Sequence, residues 1–244
     1  DGMSKTKGDG LFIHWFPGGV WVAQCNAFSA PIQIQMVKCY PATEHKSNPM
    51  AALRELRKGK KGFLYAHVGV SDPAFVHELH EVESLVKAKD PEYFQNAVQS
   101  LVEDGADVFY HVTASGNGEP FNPQGIGERR FILSGIRTAD LVNLQQKITD
   151  QSIFPTRLEC STLATVGLIN TLMANQESDA PVVLLEIFRK QSQLVILRSG
   201  ESPSFYRVNS GEAAICECIR DELSLKDADS AQKLLYSSTI DLSE

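Results

Sequence analysis

Apolar and polar residues alternate along three stretches near the start of the chain, the pattern of half-buried β-strands. Residues 11–16 and 20–27 are separated by a Pro-Gly-Gly sequence at 17–19, which is typical of a tight turn. Residues 31–40 place isoleucine and methionine side chains at every second position. The pattern therefore predicts an antiparallel meander of three strands.

Beyond residue 48 the pattern predicts an alternation of helices and strands around one long loop. Residues 115–128 hold four glycines and two prolines, which indicates the tip of a hairpin. Helical spacing and capping residues predict helices over residues 49–58, 75–87, 91–103, 138–148 and 161–174. Short apolar runs predict strands over residues 62–70, 107–114, 129–136 and 154–159.

A second meander follows a polar linker at residues 175–180, which we interpret as a domain boundary. Strands are predicted over residues 181–187, 193–198 and 203–208, and helices over residues 210–223 and 227–235. Two meanders, each followed by a helix, describe the α/β actin-like fold, in which two halves enclose a nucleotide. The order of elements therefore predicts that fold.

Composition narrows the class of protein. The 244 residues carry 23 basic and 30 acidic side chains, and the net charge of −7 argues against a nucleic-acid-binding protein. No apolar run approaches the roughly 18 residues that span a bilayer. The five cysteines are odd in number and scattered, which favours reduced thiols in a cytosolic protein.

Two segments carry a recognisable order of motifs. They read RRFILSGIRTADLVNLQQKITDQSIFPTRLECSTLATVGLIN at residues 129–170 and VLLEIFRKQSQLVILRSGESPSFYRVNSGEAAICECIRDEL at residues 183–223. A turn glycine, an arginine, a loop glycine, and a closing alanine and lysine fall at Gly200, Arg207, Gly211, Ala231 and Lys233. This order resembles the type IV pilus assembly protein PilM and its relatives, the cell-division protein FtsA and the type II secretion protein GspL.

The resemblance implies an actin-like (ribonuclease H-like) chain with two lobes. Residues 11–175 would form the first lobe, with a small inserted α+β subdomain at about residues 72–128, and residues 176–244 a partial second lobe. In the family a further subdomain with an adenosine-binding loop follows, so we expect the second half to be incomplete. Residues 1–10 are interpreted as a tag remnant and a flexible N-terminus, because Asp1-Gly2 precedes a methionine.

The first phosphate loop of the family is altered in this chain. Its aspartate, which holds Mg²⁺ or its water, falls on His14, and its first glycine falls on Phe16. Gly18 and Gly19 remain, but Pro17 removes one of the N–H donors that could approach phosphate. We expect this loop to bind nucleotide poorly.

The second phosphate loop is altered in the same way. Glu186 keeps a carboxylate, but Phe188 replaces the glycine that lets phosphate approach the backbone. Arg189 and the lysine after it could neutralise phosphate, and Ser192 closes the loop. Because charge does not offset steric exclusion, we expect both loops to be degenerate nucleotide sites.

From the resemblance and these losses we expect a binding protein that is not an enzyme, with no cofactor and no metal. The resemblance implies a cytoplasmic scaffold at the inner face of the membrane, in a type IV pilus or type II secretion platform. In PilM-like proteins the cytoplasmic tail of a bitopic inner-membrane partner binds between the first subdomain and the inserted one. Self-association is a further possible contact. The alternatives are an ATP-binding actin-like ATPase or sugar-kinase-like phosphotransferase, and an interaction module of another pathway.

Other candidate sites give weaker signals. His77 and His80 are predicted on one helix but lack the H-E-x-x-H spacing of a zinc protease. Ser134 and Ser161 lack the G-x-S-x-G context of a hydrolase nucleophile. A solvated helix face and ordinary structural serines are therefore the favoured interpretations.

A basic cluster and two tryptophans leave alternatives open. The basic cluster comprises Arg54, Arg57, Lys58, Lys60 and Lys61. Its cations would complement the dipole at the end of a helix, or they would contact anionic lipid or an acidic partner. Trp15 and Trp21 flank the Pro-Gly-Gly turn. One or both would fill the nucleotide cleft, or they would form a solvent-facing binding patch.

Overall fold

The computed structural model describes residues 10–29, 31–41, 53, 62–102, 105–116, 118–122, 129–175 and 180–237. Within them the strands are β1 (Gly10–Phe16), β2 (Gly19–Cys25), β3 (Ile34–Pro41), β4 (Leu64–Val70), β5 (Val76–Glu81), β6 (Val108–Ala114), β7 (Arg130–Arg137), β8 (Ile153–Cys160), β9 (Val182–Ile187), β10 (Ser192–Leu197) and β11 (Ser204–Val208). The helices are α1 (Pro91–Val102), α2 (Thr138–Thr149), α3 (Ser161–Ala174), α4 (Glu212–Glu222) and α5 (Ala228–Ser237), with a 3₁₀ turn at Lys87–Lys89.

The strands form three sheets. The first has the order β3-β2-β1-β4-β8, in which β3, β2 and β1 are antiparallel neighbours, and β4 and β8 continue in parallel with β1. The second is the antiparallel meander β11-β10-β9, and the third is the antiparallel sheet β5-β7-β6. We call the first sheet with α2 the first lobe, β9–β11 with α4 and α5 the second lobe, and β5–β7 with α1 the inserted sheet.

One predicted element is wrong. The helix predicted over residues 75–87 is instead β5, followed by the 3₁₀ turn. All six residues of β5 pair with β7, and His77 lies opposite Ser134. The apolar spacing of Leu79 and the two valines after it favours a helix locally, but this ladder and its packing override that preference. The inserted sheet also takes in β7, which lies beyond residue 128.

Some predictions fall outside the described residues. The helix predicted over residues 49–58 and the basic cluster at its end lie there, apart from Leu53, which is fully buried in the core of the first lobe. Residues 1–9 of the expected tag remnant and N-terminus, predicted over residues 1–10, lie there too, whereas Gly10 is the first residue of β1. The predicted loop at 115–128 is described only in part.

Each sheet buries its own core. Ile13 and Val68 of the first lobe pack in one cluster with Leu144 and Ile148 of α2. The inserted sheet packs on α1 through a ring cluster that includes Phe94, Phe131 and Phe121. A third cluster joins α3 to the second lobe and holds Val166, Met173, Val195 and Leu197. Burial of this apolar surface is the main force that holds the three sheets.

The inserted sheet touches both lobes. His77 lies with Nδ1 3.0 Å from Ser134 Oγ and with Nε2 3.3 Å from the Sγ of Cys160, the last residue of β8. Just before β5, the carbonyl oxygen of Pro73 accepts hydrogen bonds from Gln191 Nε2 at 3.1 Å and Arg207 Nη2 at 2.6 Å, both in the second lobe. The inserted sheet therefore bridges the two lobes.

Candidate functional site

Two hairpins face each other across the cleft between the lobes. Each has a two-residue turn, since Phe16 pairs with Gly19 in the first, and the N–H of Phe188 donates to the carbonyl of Gln191 at 2.9 Å in the second. The cavity between them has a volume of about 220 Å³. It is lined by His14, Phe16, Pro17, Trp21, Ser71, Glu186, Ile187 and Phe188.

The two hairpins match position for position. His14 lies two residues before the end of β1 in the same way that Glu186 lies two residues before Phe188. The predicted site residues His14, Phe16, Glu186 and Phe188 therefore meet at one cavity, as the alignment of both hairpins with phosphate loops predicts.

A chain of hydrogen bonds crosses the cavity. The Ser71 hydroxyl, one residue beyond β4, donates to Glu186 Oε1 at 3.4 Å, and the Thr162 hydroxyl donates to Oε2 at 2.5 Å. His14 Nε2 lies 3.1 Å from Ser71 Oγ. Because Ser71 gives its only hydrogen to Glu186, we assign the proton of that imidazole to Nε2. Both oxygens of the carboxylate are thus engaged, one by Ser71 beyond β4 and the other by Thr162 in α3.

Partial desolvation lowers the pKa of His14 below its ordinary value, although the side chain keeps solvent-exposed surface. Desolvation disfavours the charged imidazolium, so the ring is neutral at physiological pH. The first hairpin thus places a neutral donor where an actin-like ATPase has a carboxylate. Such a group cannot bind Mg²⁺ as an oxygen ligand.

The tip of the first turn is crowded by an aromatic ring. A Cβ atom on Gly18 would lie 2.6 Å from Cε2 of Phe16, and the Phe16 ring is itself 5.5 Å from the ring of His14. Gly18 and Gly19 lie outside the residues that line the cavity, and Gly19 has the positive φ of +148°. The two glycines make the turn but contribute no cavity wall.

Helix α4 contacts the second turn through two backbone hydrogen bonds. The carbonyl oxygen of Phe188 accepts the N–H of Glu212, and that of Arg189 accepts the N–H of Ala213, each at 2.9 Å. These N–H groups belong to the first turn of a helix, where amides are otherwise free to bind an anion. The Phe188 side chain is 3% exposed. The two amides are therefore already hydrogen-bonded, and the buried ring fills space at this loop.

The remaining predicted positions point elsewhere. Arg189 is exposed and does not line the cavity, and the Ser192 hydroxyl donates to the carbonyl of Ser210 at 2.7 Å. Trp21 lines the cavity and is 45% exposed, whereas Trp15 packs against the core on the other face of the sheet. Of the two tryptophans, only Trp21 could therefore contact a ligand in the cleft.

Two hydroxyl residues of the site, Ser71 and Thr162, are not predicted from the sequence. Each is a single hydroxyl residue, one just after a strand and one at the start of α3. The available signal was that Ser71 and Thr162 follow two parallel strands, β4 and β8, whose carboxyl ends meet at one edge of a sheet. That signal places a site at this edge but does not single out these residues.

His77 and His80 do not share a helix face, because successive positions of β5 alternate between the two faces of the sheet. His80 Nε2 lies 3.0 Å from the hydroxyl of Tyr93. Among the described residues no group of three His, Cys, Asp or Glu side chains could hold a metal ion, and all five cysteines are free. No helix in the described part of the chain is long and apolar enough to cross a membrane.

Comparison with known proteins gives matches among solved structures alone. No family model and no curated protein matches the chain. A chain of the PilM-PilN type IV pilus biogenesis complex aligns with a TM-score of 0.65 and 15% identity, over 96% of this chain and 70% of that one.

Two other solved structures align with lower scores. A Bacteroides thetaiotaomicron protein with an actin-like ATPase fold has a TM-score of 0.49 and 8% identity, over 96% of this chain and 90% of that one. The cytoplasmic domain of EpsL, an inner-membrane component of the type II secretion system of Vibrio cholerae, has a TM-score of 0.47 and 9% identity, over 86% of this chain and 74% of that one. Because both scores lie below 0.5, neither alignment supports a conclusion about this chain.

The alignment to the pilus complex shows the fold. This chain has the mixed α/β architecture of an actin-like protein, as the order of its elements predicts. The resemblance to PilM inferred from sequence motifs is confirmed as a likeness of fold. At 15% identity the likeness does not extend by itself to activity or partners.

Proposed function

We propose that this protein is a non-catalytic scaffold that binds the cytoplasmic tail of a membrane protein in a type IV pilus or type II secretion platform. The observation that carries the proposal is the likeness of fold, over 96% of the chain, to a chain of the PilM-PilN type IV pilus biogenesis complex. The proposed location is the cytoplasmic face of the inner membrane.

The cleft supports the non-catalytic part of the proposal. Phosphate binding needs free backbone N–H groups and room for the anion. Here the amides of Glu212 and Ala213 are bonded to turn carbonyls, and Phe188 is buried beside them. The cavity of about 220 Å³ also falls below the roughly 300–1,000 Å³ of ordinary small-molecule sites.

A surface between the first lobe and the inserted sheet supports the binding part. Strand β6 turns Tyr110 towards the core of α1, so Phe109 and His111 lie on the opposite face, and both are exposed. The amide of Thr138, the first residue of α2, donates to the carbonyl of Asp107 at 2.9 Å, which holds this end of β6 beside the first lobe. We call this surface, between β6 and α2, the tail groove.

Phe109 is the residue to test in the tail groove. It is 59% exposed, and aromatic anchors of this kind dominate the energy of many interfaces. We expect Phe109→Ser to weaken binding of the tail peptide by about thirtyfold, as loss of a strong anchor does. Val86→Ser is the matched control, because Val86 is 79% exposed and belongs to neither β6 nor α2.

The binding experiment uses synthetic peptides of the cytoplasmic tails of bitopic membrane proteins encoded beside this gene. Fluorescence anisotropy gives the Kd of each peptide for the wild type and both variants. Saturable binding that is lost in Phe109→Ser and kept in Val86→Ser supports the tail groove. Equal binding by all three proteins would contradict it.

A nucleotide titration tests the non-catalytic part separately. A ligand present at one hundred times its Kd stabilises the folded state by about 2.7 kcal/mol, which raises the melting temperature by several degrees. We expect millimolar Mg-ATP to leave the melting temperature unchanged. A clear rise would favour the ATP-binding alternative.

A further inference from the structure

The half-buried carboxylate of Glu186 has no cation beside it in the described part of the chain. It accepts the hydroxyls of Ser71 and Thr162, but no described lysine, arginine or histidine forms an ion pair with it. By contrast Glu159, which lines a second cavity on the first sheet, is paired with Arg157. Charges withdrawn from water are ordinarily paired, so a counter-ion is expected at Glu186.

The cavity wall around this carboxylate is largely aromatic. Phe16 and Trp21 of the first hairpin and Phe188 of the second line the same cavity as Glu186. Trp21 lies opposite His14 in the register of β1 with β2 and is 45% exposed, so a ligand can reach its ring from solvent. The face of an aromatic ring carries negative potential and attracts cations, and tryptophan is the most effective of the three.

The wall offers no positive charge of its own. The imidazole of His14 is neutral, and the hydroxyl of Ser71 already donates to the carboxylate. Arg189 is exposed and lies outside the cavity wall. Among the described residues that line the cavity, Glu186 therefore supplies the only charge. Charge complementarity favours a cationic ligand.

This arrangement does not depend on what lies beside β9, which pairs only with β10 in the described part of the chain. An added strand would lie in the plane of the sheet, whereas side chains leave a strand through the faces of the sheet. The side chain of Glu186 extends from one face towards Ser71 and Thr162. A further strand beside β9 would therefore leave the carboxylate and its contacts in place.

We infer that this cavity binds a guanidinium group. Each oxygen of Glu186 accepts one hydroxyl and keeps a second lone pair, so a planar guanidinium can donate to both while its face stacks on Trp21. The volume of about 220 Å³ suits a small head group of this kind. The group belongs to a small guanidinium compound or to an arginine side chain of a partner protein. This site is separate from the tail groove and does not depend on the proposed function.

The first test compares a cation with its neutral isostere. The probe is propylguanidinium, and the matched control is propylurea, which has nearly the same shape and no charge. We expect the protein to bind propylguanidinium with a Kd of about 1 mM or tighter in an NMR titration, and propylurea at least about tenfold more weakly. No saturable binding of propylguanidinium, or equal binding of both compounds, would overturn the inference.

The second test changes the cavity wall. Glu186→Gln keeps an acceptor for the two hydroxyls but removes the charge, and should weaken binding of propylguanidinium at least about tenfold. Trp21→Leu removes the exposed ring and should weaken it about fivefold. The control variants Glu201→Gln and Tyr65→Leu change exposed residues outside the cavity wall and should leave the Kd within about twofold.

Unchanged affinity in Glu186→Gln would overturn the assignment to this carboxylate. Trp21→Leu decides alone if Glu186→Gln does not fold, and unchanged affinity there would overturn the inference as well.

Two further ligands identify the occupant. A capped Gly-Arg-Gly peptide that binds at least about tenfold more tightly than propylguanidinium would support an arginine of a partner protein as the source of the group. Equal or weaker binding of the peptide would support a small guanidinium compound. Displacement of propylguanidinium by millimolar Mg²⁺ at constant ionic strength would show that the carboxylate holds a metal ion, and would overturn the inference.

Discussion

His14 and Glu186 occupy equivalent positions of the two hairpins, and the hydroxyl of Ser71 lies between them. The distances from Ser71 Oγ are 3.1 Å to His14 Nε2 and 3.4 Å to Glu186 Oε1. The resemblance to actin-like ATPases aligns a metal-binding aspartate with each position. In this chain Ser71 links the pair across the cleft between the two lobes, which leads to a first prediction.

Removal of the Glu186 carboxylate should destabilise the fold. Glu186→Ala leaves the hydroxyls of Ser71 and Thr162 without their shared acceptor, and hydrogen bonds to a charged group are worth about 1.5–3 kcal/mol. We expect a loss of about 2 kcal/mol in the free energy of unfolding, measured by urea denaturation. Glu201→Ala is the control, because its ion pair with Arg198 is exposed and should contribute less than about 1 kcal/mol. Equal losses of unfolding free energy in the two variants would show that the hydrogen bonds to Glu186 do not stabilise the fold.

Stability should fall as the pH decreases below neutrality, and His77 should account for much of the loss. Burial, and then the positive charge of Arg207, lower the pKa of His77 from 6.5 to about 4. Between these pH values the unfolded chain binds a proton that the folded protein does not, so acid favours unfolding. The expected loss from this residue between pH 7.5 and pH 5.0 is about 2 kcal/mol.

The measurement for His77 is urea denaturation of the wild type and of His77→Gln at both pH values. The variant lacks the titrating ring, so its stability should depend less on pH by that amount. His14, whose pKa burial also lowers, contributes in the same direction and stays present in both proteins. Identical pH dependence of the two proteins would contradict the assignment to His77.

Two glycine substitutions should have opposite effects. A Cβ atom on Gly211 would lie 2.2 Å from the carbonyl oxygen of Phe188 and 2.6 Å from the nitrogen of Gln191, and neither backbone group can move freely. We expect Gly211→Ala to cost at least about 2 kcal/mol, as forced overpacking does. In α3 a Cβ atom on Gly167 would meet nothing within 4 Å, so Gly167→Ala should stabilise the protein by about 0.5–1 kcal/mol. Thermal unfolding of both variants checks the pair.

Truncation of Phe188 should destabilise the protein without creating a nucleotide site. Phe188→Ala removes a ring that is 3% exposed, and such changes cost about 3–5 kcal/mol. Phe109→Ala is the control, because a ring that is 59% exposed should cost less than about 1 kcal/mol. Since the amides of Glu212 and Ala213 stay bonded to turn carbonyls, calorimetric titration should give no heat of Mg-ATP binding. Binding by Phe188→Ala would identify the ring as the sole obstacle.

Local patterns were sufficient to predict the two meanders and the order from β7 to α3. Turn residues such as Pro17 and helical spacing are local signals, and each acts over fewer than about twenty residues. The strand β5 could not be predicted in this way. Its pairing with β7 joins residues far apart in the sequence, 57 positions for His77 and Ser134, and nothing near β5 in the sequence specifies that contact.

Some residues of the candidate site could likewise be predicted from the sequence, and others could not. His14, Phe16, Glu186 and Phe188 could be predicted to lie together because the resemblance aligns each with a phosphate-loop position, and all four line one cavity. Ser71 could not, because a serine after a strand is common and its role depends on the parallel pairing of β4 with β1.

A single backbone oxygen limits how the lobes can move. The carbonyl of Pro73, just before the inserted sheet, accepts both Gln191 and Arg207 of the second lobe. A hinge rotation that opened the cleft would have to break both bonds together or carry the inserted sheet with it. Mechanical work applied to the inserted sheet would therefore reach the second lobe through this peptide unit, as well as through the contacts of His77 with Phe205 and of Ser115 with Ser202.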